Sequence, residues 1–214
     1  MAEGFTDRRD AGRRLGAALI DQHLAADPVV LGLPRGGVPV AYEVAAALAA
    51  TLDVLVVRKV GVPGYDELAM GAVAAGDAVV LNDDVVARAG VDEPELQQAI
   101  ERERCAAAER EERYRRGRPP TPLEGRTAVL VDDGLATGAS MRVAVLAARR
   151  HTPERVVVAV PVGTAAACTA LREDADEVFC LLQPHVLDGV GAWYRDFRPT
   201  DDAEVQELLD TVSR

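Results

Sequence analysis

The hydrophobic pattern of the chain predicts short, buried strands. Five runs rich in β-branched residues are apolar at successive positions rather than at every second position. This continuous pattern is typical of parallel strands, because helices cover both faces of such a sheet. The five runs span residues 29–33, 54–59, 127–131, 156–160 and 178–182.

Segments of helix length lie between most of these runs. Residues 38–50 and 138–151 carry apolar residues at helical spacing, and residues 164–172 predict a shorter helix. The alternation of strands and helices predicts an α/β fold: a doubly wound, mainly parallel five-stranded sheet with helices on both faces.

Other segments lie outside this alternation. Residues 6–25 predict an amphipathic helix that leads into the sheet, and residues 91–118 predict a long helix with Asp92 as its N-cap. The long helix is rich in Glu and Arg, and we interpret this charge as a solvated helix face. We expect a further short helix from Asp201 or Asp202 onward.

Composition and charge argue against several classes of protein. The chain has 214 residues, of which 49% are hydrophobic, and this suits one domain with an aliphatic core. The formal net charge of -11 disfavours a protein that binds the phosphates of nucleic acid. No apolar run approaches the roughly 18 residues that span a bilayer, and the polar N-terminus does not resemble a secretory signal. We therefore expect a cytoplasmic protein without nucleic-acid or membrane partners.

The cysteines agree with that location. Cys105, Cys168 and Cys180 are odd in number and show no C-x-x-C spacing. We expect reduced, mostly packed thiols, and we do not expect a metal site built from them.

The stretch "VLVDDGLATGAS" (129–140) holds the strongest candidate site. It places Asp132 and Asp133 at the carboxyl end of a predicted strand, the edge where open parallel sheets bind their ligands. Neighbouring carboxylates accept hydrogen bonds from vicinal hydroxyls such as those of a ribose. They also hold divalent cations, directly or through water.

The loop after the aspartates suits an anion. Its side chains are small, so a phosphate can approach the backbone N–H groups where the next helix begins and where the helix dipole is positive. A sugar 5-phosphate would fit, with its diol on the carboxylates. The alternative is an ordinary strand–turn–helix unit with Thr137 or Ser140 as an N-cap. The loop consists of Ala136, Thr137, Gly138, Ala139 and Ser140.

This stretch resembles the phosphoribosyl pyrophosphate (PRPP) motif of type I phosphoribosyltransferases. The resemblance implies that Asp132 and Asp133 bind the ribose hydroxyls and that residues 136–140 bind the 5-phosphate. Gly134 departs slightly from the family pattern, which usually has an aliphatic residue there. Ala136 stands where family members that act on 6-oxopurines usually carry an aspartate, and this disfavours a hypoxanthine–guanine enzyme.

A second stretch, "GLPRGGVPVA" (32–41), resembles the pyrophosphate-binding loop of the same family. Gly36 and Gly37 free the backbone to curve around an anion, and Arg35 adds a guanidinium suited to phosphate oxygens. In the family this loop often holds a cis peptide before the basic residue. We therefore predict a cis bond between Pro34 and Arg35.

Two cations and a glycine-rich loop follow the second predicted strand. Arg58 and Lys59 close that strand at the same sheet edge, where pyrophosphate or the two aspartates would neutralise them. Residues 61–71 predict a mobile loop, as in type I enzymes, and its Tyr65 and Glu67 would enter the site on closure. Alternatively, Tyr65 only anchors the loop. Residues 69–82 predict a hairpin that turns at Gly76–Asp77.

The acceptor site is the least determined part. In this family a variable hood selects the acceptor, and the candidate hood segments here are residues 83–118 and 183–199. Trp193 and Tyr194 would stack on a planar base, or they would seal the end of the sheet.

The chain as a whole resembles stand-alone bacterial phosphoribosyltransferase-domain proteins over nearly its full length. The resemblance implies a single domain over 1–214 with its core at about 28–182, a small hood and a flexible-loop hairpin. It implies a monomeric or homodimeric enzyme that uses PRPP and Mg²⁺ to transfer phosphoribosyl to a nucleobase or another small nitrogen acceptor. In that reaction Arg35 and Lys59 would act beside Asp132 and Asp133, and the two aspartates would hold the metal. The alternative is a non-catalytic sensor of PRPP or a nucleotide. A dinucleotide-binding site is disfavoured because "GLPRGG" lacks the third glycine of G-x-G-x-x-G.

Overall fold

A computed structural model describes residues 4–22, 27–76 and 78–212. Its strands are β1 (Val29–Gly32), β2 (Thr51–Val54), β3 (Val57–Val62), β4 (Tyr65–Ala74), β5 (Val79–Leu81), β6 (Thr127–Val131), β7 (Arg155–Val162) and β8 (Glu177–Leu182). Its α-helices are α1 (Arg8–Ile20), α2 (Gly37–Leu48), α3 (Asp83–Ala89), α4 (Glu93–Arg115), α5 (Ala139–Arg149), α6 (Ala165–Leu171) and α7 (Asp202–Val212). A 3₁₀ turn covers Val190–Trp193.

The main sheet has five parallel strands in the order β2-β1-β6-β7-β8. Residues of β1 and β6 are buried at every position, as their continuous apolar runs predict. The predicted α/β class and the parallel five-stranded sheet are therefore confirmed.

One predicted strand was wrong. The main sheet uses Thr51–Val54, which pairs with β1, and not residues 54–59. The chain leaves this sheet at Leu55, whose N–H donates to the Gly32 carbonyl at 3.2 Å. The apolar run continues across that exit, so hydrophobicity alone could not separate β2 from β3.

The second sheet is antiparallel, in the order β3-β4-β5. Val62 pairs with Tyr65 across a tight turn in which Gly64 has φ +80°, a conformation that glycine adopts easily. Residues 61–71 therefore belong to a β-hairpin, where we predicted a loop, and its register shifts around Gly61. The hairpin predicted over residues 69–82 is confirmed by the pairing of β4 with β5, although Asp77 lies outside the described residues.

Helices cover both faces of the main sheet. On one face lie α1, α2 and α7, whose Leu15, Val44 and Leu209 share a buried cluster with Val30 of β1. On the other face lie α5 and α6, which pack against alternate residues of the same strands. Because α2 follows β1 and α5 follows β6, neighbouring strands send their helices to opposite faces. The sheet therefore has its switch of winding direction between β1 and β6.

Helix α4 joins the two sheets. Its first half places Leu96, Ala99 and Ile100 against the antiparallel sheet, and its second half buries Tyr114 against the main core. The predicted N-cap at Asp92 is present and forms a capping box with Glu95. The charged face is not wholly solvated as we interpreted it, because Glu111 is buried.

A buried ion network fixes the end of α4 to β2. Arg115 donates to Asp53 at 2.9 Å and to Glu111 at 2.7 Å. Asp53 also accepts from the Thr121 N–H, and Glu111 accepts from the Val56 N–H, both at 2.8 Å. Each buried charge thus has several partners, as burial of charge requires.

Two expectations drawn from the sequence concern the cysteines and membrane-spanning segments. Cys105, Cys168 and Cys180 are free thiols, and the described residues contain no cluster of three or more His, Cys, Asp or Glu that could hold a metal. In the part of the chain that the structure covers, no helix has both the length and the apolar character needed to cross a bilayer.

Candidate functional site

The two aspartates lie at the centre of the main sheet, directly after β6. Strand β6 pairs with β1 on one side and β7 on the other, so Asp132 and Asp133 emerge beside the switch of winding direction. The Asp132 carboxylate accepts the N–H of Asp133 at 2.8 Å. This bond holds the Asp132 carboxylate against the backbone of Asp133, and the two residues form an acidic pair at the edge where ligands of such sheets bind.

Burial raises the pKa of both carboxyl groups. For Asp132 the desolvation is reinforced by the neighbouring charge of Asp133, and the pKa lies well above its usual range. For Asp133 desolvation also raises the pKa, while Arg8 acts against it. Two half-buried carboxyl groups with raised pKa values favour a ligand that supplies hydroxyl or cationic partners.

The loop at 136–140 leads into the open N-terminus of α5. Gly138 is the N-cap, with φ +82°, and among the described residues no side chain caps this helix. Thr137 and Ser140 therefore do not act as the N-cap that the alternative interpretation required. The loop is held from behind, because the Thr164 hydroxyl donates to the Ala136 carbonyl at 3.0 Å. The first N–H groups of α5 are thus suited to bind an anion.

The loop at 34–37 leads into a second open helix start. The Pro34–Arg35 peptide is cis, as predicted, and the Arg35 side chain is exposed. Gly36 is the N-cap of α2, again with no side-chain cap among the described residues. The N–H groups of Gly37 and Val38 already donate to the Leu33 and Arg35 carbonyls, at 3.0 and 3.2 Å, and Pro39 has no N–H. The groups here that suit a phosphate are therefore the exposed Arg35 and the positive end of the α2 dipole.

Glycine is required where the two loops touch. A Cβ atom at Gly36 would collide with the Asp133 carboxylate, and one at Gly37 would lie 2.7 Å from the Val131 carbonyl oxygen. The loop after β1 therefore packs directly on the acidic pair after β6. From the sequence we expected Gly36 and Gly37 to let an anion approach the backbone. The structure shows that they also let the two loops pack against each other.

The tail covers the acidic pair from the other side. The Tyr194 hydroxyl donates to the Asp133 carbonyl at 2.5 Å, and its ring packs between Phe5 and Phe197. Burial, reinforced by the charge of Asp133, raises the pKa of this phenol. Of the two interpretations for Tyr194, the geometry favours the one in which it seals the end of the sheet. Trp193 is half-buried, and its carbonyl accepts the Phe5 N–H at 2.7 Å.

Arg8 is a member of the site that sequence reasoning missed. Its guanidinium donates to the Asp133 carboxylate at 2.8 Å, across 125 residues of sequence. The side chains are only 11% and 17% exposed, so solvent screens the pair weakly. The "DRRD" stretch around Arg8 forms no recognisable motif. The only signal was an arginine in the first turn of the predicted N-terminal helix.

Arg58 and Lys59 do not lie where the sequence placed them. They belong to β3 in the antiparallel sheet, since the predicted strand 54–59 is divided between two sheets. Arg58 donates to Glu103 of α4 at 2.7 Å. Burial opposes ionisation of Glu103, but hydrogen bonds from Arg58 and Arg102 outweigh it and lower its pKa. Lys59 is exposed.

The hairpin residues are only partly described. Tyr65 begins β4 next to the hairpin turn and is 73% exposed, so it is not an anchor packed against the protein. The side chain of Glu67 lies outside the described residues. The exposed hairpin is the segment that we predicted to close over the site.

A cavity of about 600 Å³ lies beside the anion loop, between the antiparallel sheet and helices α5 and α6. Its lining includes Thr137, Gly138 and Ala139 of the loop, together with Arg142 and Glu173. Neither aspartate belongs to that lining. Of the predicted hood segment 83–118, only its first residues, Asp83 and Asp84, reach this cavity.

The chain matches a family model described as "Phosphoribosyl transferase domain" over residues 92–194, which contain the acidic pair and the anion loop. The chain belongs to the phosphoribosyltransferase family. A relative from Mycobacterium tuberculosis (strain ATCC 25618 / H37Rv), "Putative phosphoribosyl transferase Rv0571c", is 50% identical over 215 residues. The match covers 98% of this chain but 47% of the relative, so the chain spans about half the length of the curated relatives it matches.

Solved structures agree with the fold. TT1426 from Thermus thermophilus is 48% identical, with a TM-score of 0.81, and the match covers 96% of this chain and 97% of that one. A protein from Neisseria gonorrhoeae, solved with bound ppGpp, is 15% identical with a TM-score of 0.54. That match covers 99% of this chain and 97% of the other, and it shows a shared fold alone. The family resemblance stated from the motifs is confirmed.

Proposed function

We propose that this chain transfers the phosphoribosyl group of PRPP to a nucleobase or another small nitrogen acceptor and releases pyrophosphate. One observation carries the proposal. Two helices with no side-chain cap among the described residues, α2 and α5, begin on either side of the acidic pair at the switch of winding direction. Two anion sites that flank a pair of hydroxyl acceptors match the three parts of PRPP: pyrophosphate, ribose diol and 5-phosphate.

Each part of the substrate would have its own segment of the chain. The N–H groups and hydroxyls of residues 136–140 would bind the 5-phosphate, with Thr164 supporting that loop at Ala136. Asp132 and Asp133 would accept hydrogen bonds from the ribose hydroxyls. Because the binding groups belong to one rigid sheet edge, they would fix the sugar before reaction, which lowers the entropic barrier.

The pyrophosphate would lie at the start of α2. Its charge would be met by the exposed Arg35 and by the positive end of the α2 dipole. Lys59 is exposed on β3 and would join them when the hairpin closes. Arg58 is held by Glu103, so its participation would require that ion pair to open.

The acidic pair also suits Mg²⁺. This ion is usually held by one or two carboxylates, with substrate phosphates and water completing its octahedron, so a site of two aspartates is sufficient when PRPP is bound. Asp132 and Asp133 would hold it, directly or through water. Bound there, the metal would neutralise charge that develops on the leaving pyrophosphate.

The reaction would be a displacement at the anomeric carbon. The bond to pyrophosphate breaks as the acceptor nitrogen adds from the opposite side, and the sugar passes through a state with oxocarbenium character. The negative carboxylates of Asp132 and Asp133 would lie close to that developing positive charge. Closure of the hairpin that carries Tyr65 and Glu67 would exclude water, which would otherwise consume the activated sugar.

The acceptor class is inferred from Ala136 and from the aromatic residues of the tail. Ala136 offers no carboxylate to a 6-oxopurine. The Tyr194 ring is buried between Phe5 and Phe197, and the half-buried Trp193 packs against the same cluster, so Trp193 would meet an acceptor only through its exposed part. We therefore favour a small amine or a base other than hypoxanthine or guanine.

A second candidate function is a sensor that binds PRPP or a nucleotide without turnover. The Arg58–Glu103 pair favours it, because a cation expected on the leaving group is already engaged by α4. Such a protein would keep the 5-phosphate and diol contacts and lack full neutralisation of pyrophosphate.

Binding and turnover can be measured separately. We expect calorimetry to show PRPP binding in the presence of Mg²⁺, and we expect pyrophosphate release with at least one member of a panel of nucleobases and small amines. The double variant Asp132→Asn, Asp133→Asn should lose at least about 100-fold in PRPP affinity, because two hydroxyl contacts to charged acceptors are weakened. PRPP binding without release across the panel would favour the sensor. Absence of PRPP binding would exclude the transferase, and absence of binding to PRPP and to a panel of nucleotides would exclude both functions.

A further inference from the structure

Arg8 reaches the acidic pair because the N-terminal segment is fixed to the tail. The Phe5 N–H donates to the Trp193 carbonyl at 2.7 Å, and the Phe5 ring lies 5.4 Å from the Tyr194 ring. Asp7 then caps α1 by accepting the Asp10 N–H at 2.7 Å. Arg8 is therefore the first residue of a helix whose start is held on both sides, and its side chain is directed at Asp133.

The Arg8 guanidinium is held by three groups at once. It donates through Nε to Asp133 and through Nη1 to the Arg198 carbonyl, both at 2.8 Å. Its centre lies 3.9 Å from the centroid of the Phe197 ring, a distance typical of a cation–π contact. A flat guanidinium with these partners has one orientation, which a lysine ammonium could not reproduce.

The neighbouring arginines on α1 have a different role. Arg9 and Arg13 both reach Glu43 of α2, and Arg9 also lies over the Tyr42 ring. Their side chains are 43% and 57% exposed. They join α1 to α2 on the outside of the sheet, whereas Arg8 points to the ligand edge.

The contact fixes the orientation of the Asp133 carboxylate. Oδ2 accepts from Arg8 and lies against Gly36, where any Cβ would collide with it. The backbone of the same residue is held by the Tyr194 hydroxyl. An ionised carboxylate has about four lone-pair positions, so the remaining ones have a defined direction and can accept a hydroxyl.

We propose that Arg8 is a positioning residue that orients Asp133 toward the ribose hydroxyls and gives the site its preference for ribose over 2-deoxyribose 5-phosphates. This inference rests on the proposed function, since it assigns the diol to the acidic pair. Arg8 itself lies behind the carboxylate and does not touch the sugar. Its loss should therefore act on the hydroxyl contact and leave the 5-phosphate contact at 136–140 intact.

The test compares two sugar phosphates on variants of the full chain. Calorimetry would give the affinities of ribose 5-phosphate and 2-deoxyribose 5-phosphate for the wild type, Arg8→Gln, Arg8→Lys and the matched control Arg9→Gln. We expect the wild type and Arg9→Gln to prefer ribose 5-phosphate by about tenfold, the worth of one hydrogen bond to a charged acceptor. Arg8→Gln should bring the two affinities within about twofold, chiefly by weakening the ribose compound, and Arg8→Lys should fall between.

The outcomes separate this inference from the proposed function. If Arg8→Gln weakens both sugars equally and keeps the wild-type ratio, Arg8 is only structural and the inference fails, while the proposed function stands. If the wild type binds PRPP but shows no preference for ribose, the inference fails and the proposed function stands. If the wild type binds neither PRPP nor ribose 5-phosphate, both fail. Should Arg8→Gln not fold, as judged by thermal melting, the ratio measured with Arg8→Lys decides by the same criterion.

Discussion

The described α-helices begin in two different ways, and the difference distinguishes the helices beside the acidic pair from the others. Among the described α-helices, five begin with a side chain that accepts a backbone N–H from the first turn. Helices α2 and α5 begin instead at glycine N-caps, with no such acceptor among the described residues. The capping residues are Asp7, Asn82, Asp92, Thr164 and Asp201.

The open starts are the two that face the acidic pair. A glycine N-cap costs only about a few tenths of a kcal/mol relative to a capping side chain, so these two helix starts stay without a side-chain cap at small cost. Both open helices follow neighbouring central strands and direct their positive ends to the same edge. These two helix starts support the proposal that this edge binds an anionic ligand, whereas the other described α-helices are capped by side chains of the protein itself.

Closing the open start of α5 with a charge should have the largest effect. In Ser140→Asp, a carboxylate at the second position of α5 would occupy the place of the 5-phosphate and repel it. Two like charges about 4 Å apart near a protein surface repel by up to about 4 kcal/mol, so we expect PRPP affinity to fall at least about 100-fold by calorimetry. The same change should raise the unfolding free energy by about 0.3–1 kcal/mol through the helix dipole.

Ala203→Asp is the matched control for that variant. Ala203 is exposed and occupies the second position of α7, whose start is already capped by Asp201 at 2.8 Å. It adds the same charge to a helix that does not face the acidic pair, so PRPP affinity should stay within about twofold of wild type. Unaltered PRPP binding by Ser140→Asp would contradict the assignment of α5 to the phosphate.

Removing a cap should have a smaller effect, and one that depends on which helix loses it. Thr164→Val deletes the cap of α6 and also the hydroxyl that holds the Ala136 carbonyl. We expect a loss of about 1 kcal/mol, seen as a melting temperature lower by about 2–4 °C, together with a several-fold weaker affinity for PRPP. The second effect arises because Ala136 begins the anion loop.

Asp92→Ala provides the comparison, since it removes the cap of α4 far from that loop. It should lower the melting temperature by a similar amount and leave PRPP affinity unchanged. Equal changes of affinity in the two variants would show that the loss follows general destabilisation rather than the support of the loop.

Features carried by short stretches of sequence could be predicted, whereas contacts between distant segments could not. The acidic pair and the loop at 136–140 are contiguous in the sequence, so their proximity follows from local chain direction. The cis bond at Pro34–Arg35 was predicted from the family resemblance of its loop. Arg8 and Asp133 meet only after the tail has folded over the N-terminus, and no local pattern encodes that contact. Arg58 was misplaced for a related reason: one apolar run passes from the parallel sheet into the antiparallel one, and only pairing with β1 shows where the first strand ends.

The smallest effect concerns the cost of keeping Asp132 ionised within the protein. Burial and the Asp133 charge raise its pKa in the folded state, so at neutral pH the folded protein is less stable than it would be with a neutral side chain. Asp132→Asn should therefore melt at a higher temperature than wild type at pH 7 in the absence of ligand. The gain should be modest, because the Asp133 N–H and Arg8 already offset part of the penalty.

This gain should shrink as the pH falls. Below the raised pKa the folded wild type binds a proton that the unfolded chain does not yet bind, so wild-type stability recovers and approaches that of the variant. Asp176→Asn should behave in the opposite way. Although burial acts against it, the Val156 N–H and Arg149 lower the pKa of Asp176, so its charge stabilises the fold at neutral pH and this contribution is lost on acidification. Melting curves of the three proteins between about pH 3 and pH 8 measure both trends, because the Asp176 contribution is lost only below about pH 4. If the wild type were more stable than Asp132→Asn at pH 7, the charge of Asp132 would not destabilise the fold. The contrast between the edge that carries the acidic pair and the rest of the protein would then depend only on how the helices begin.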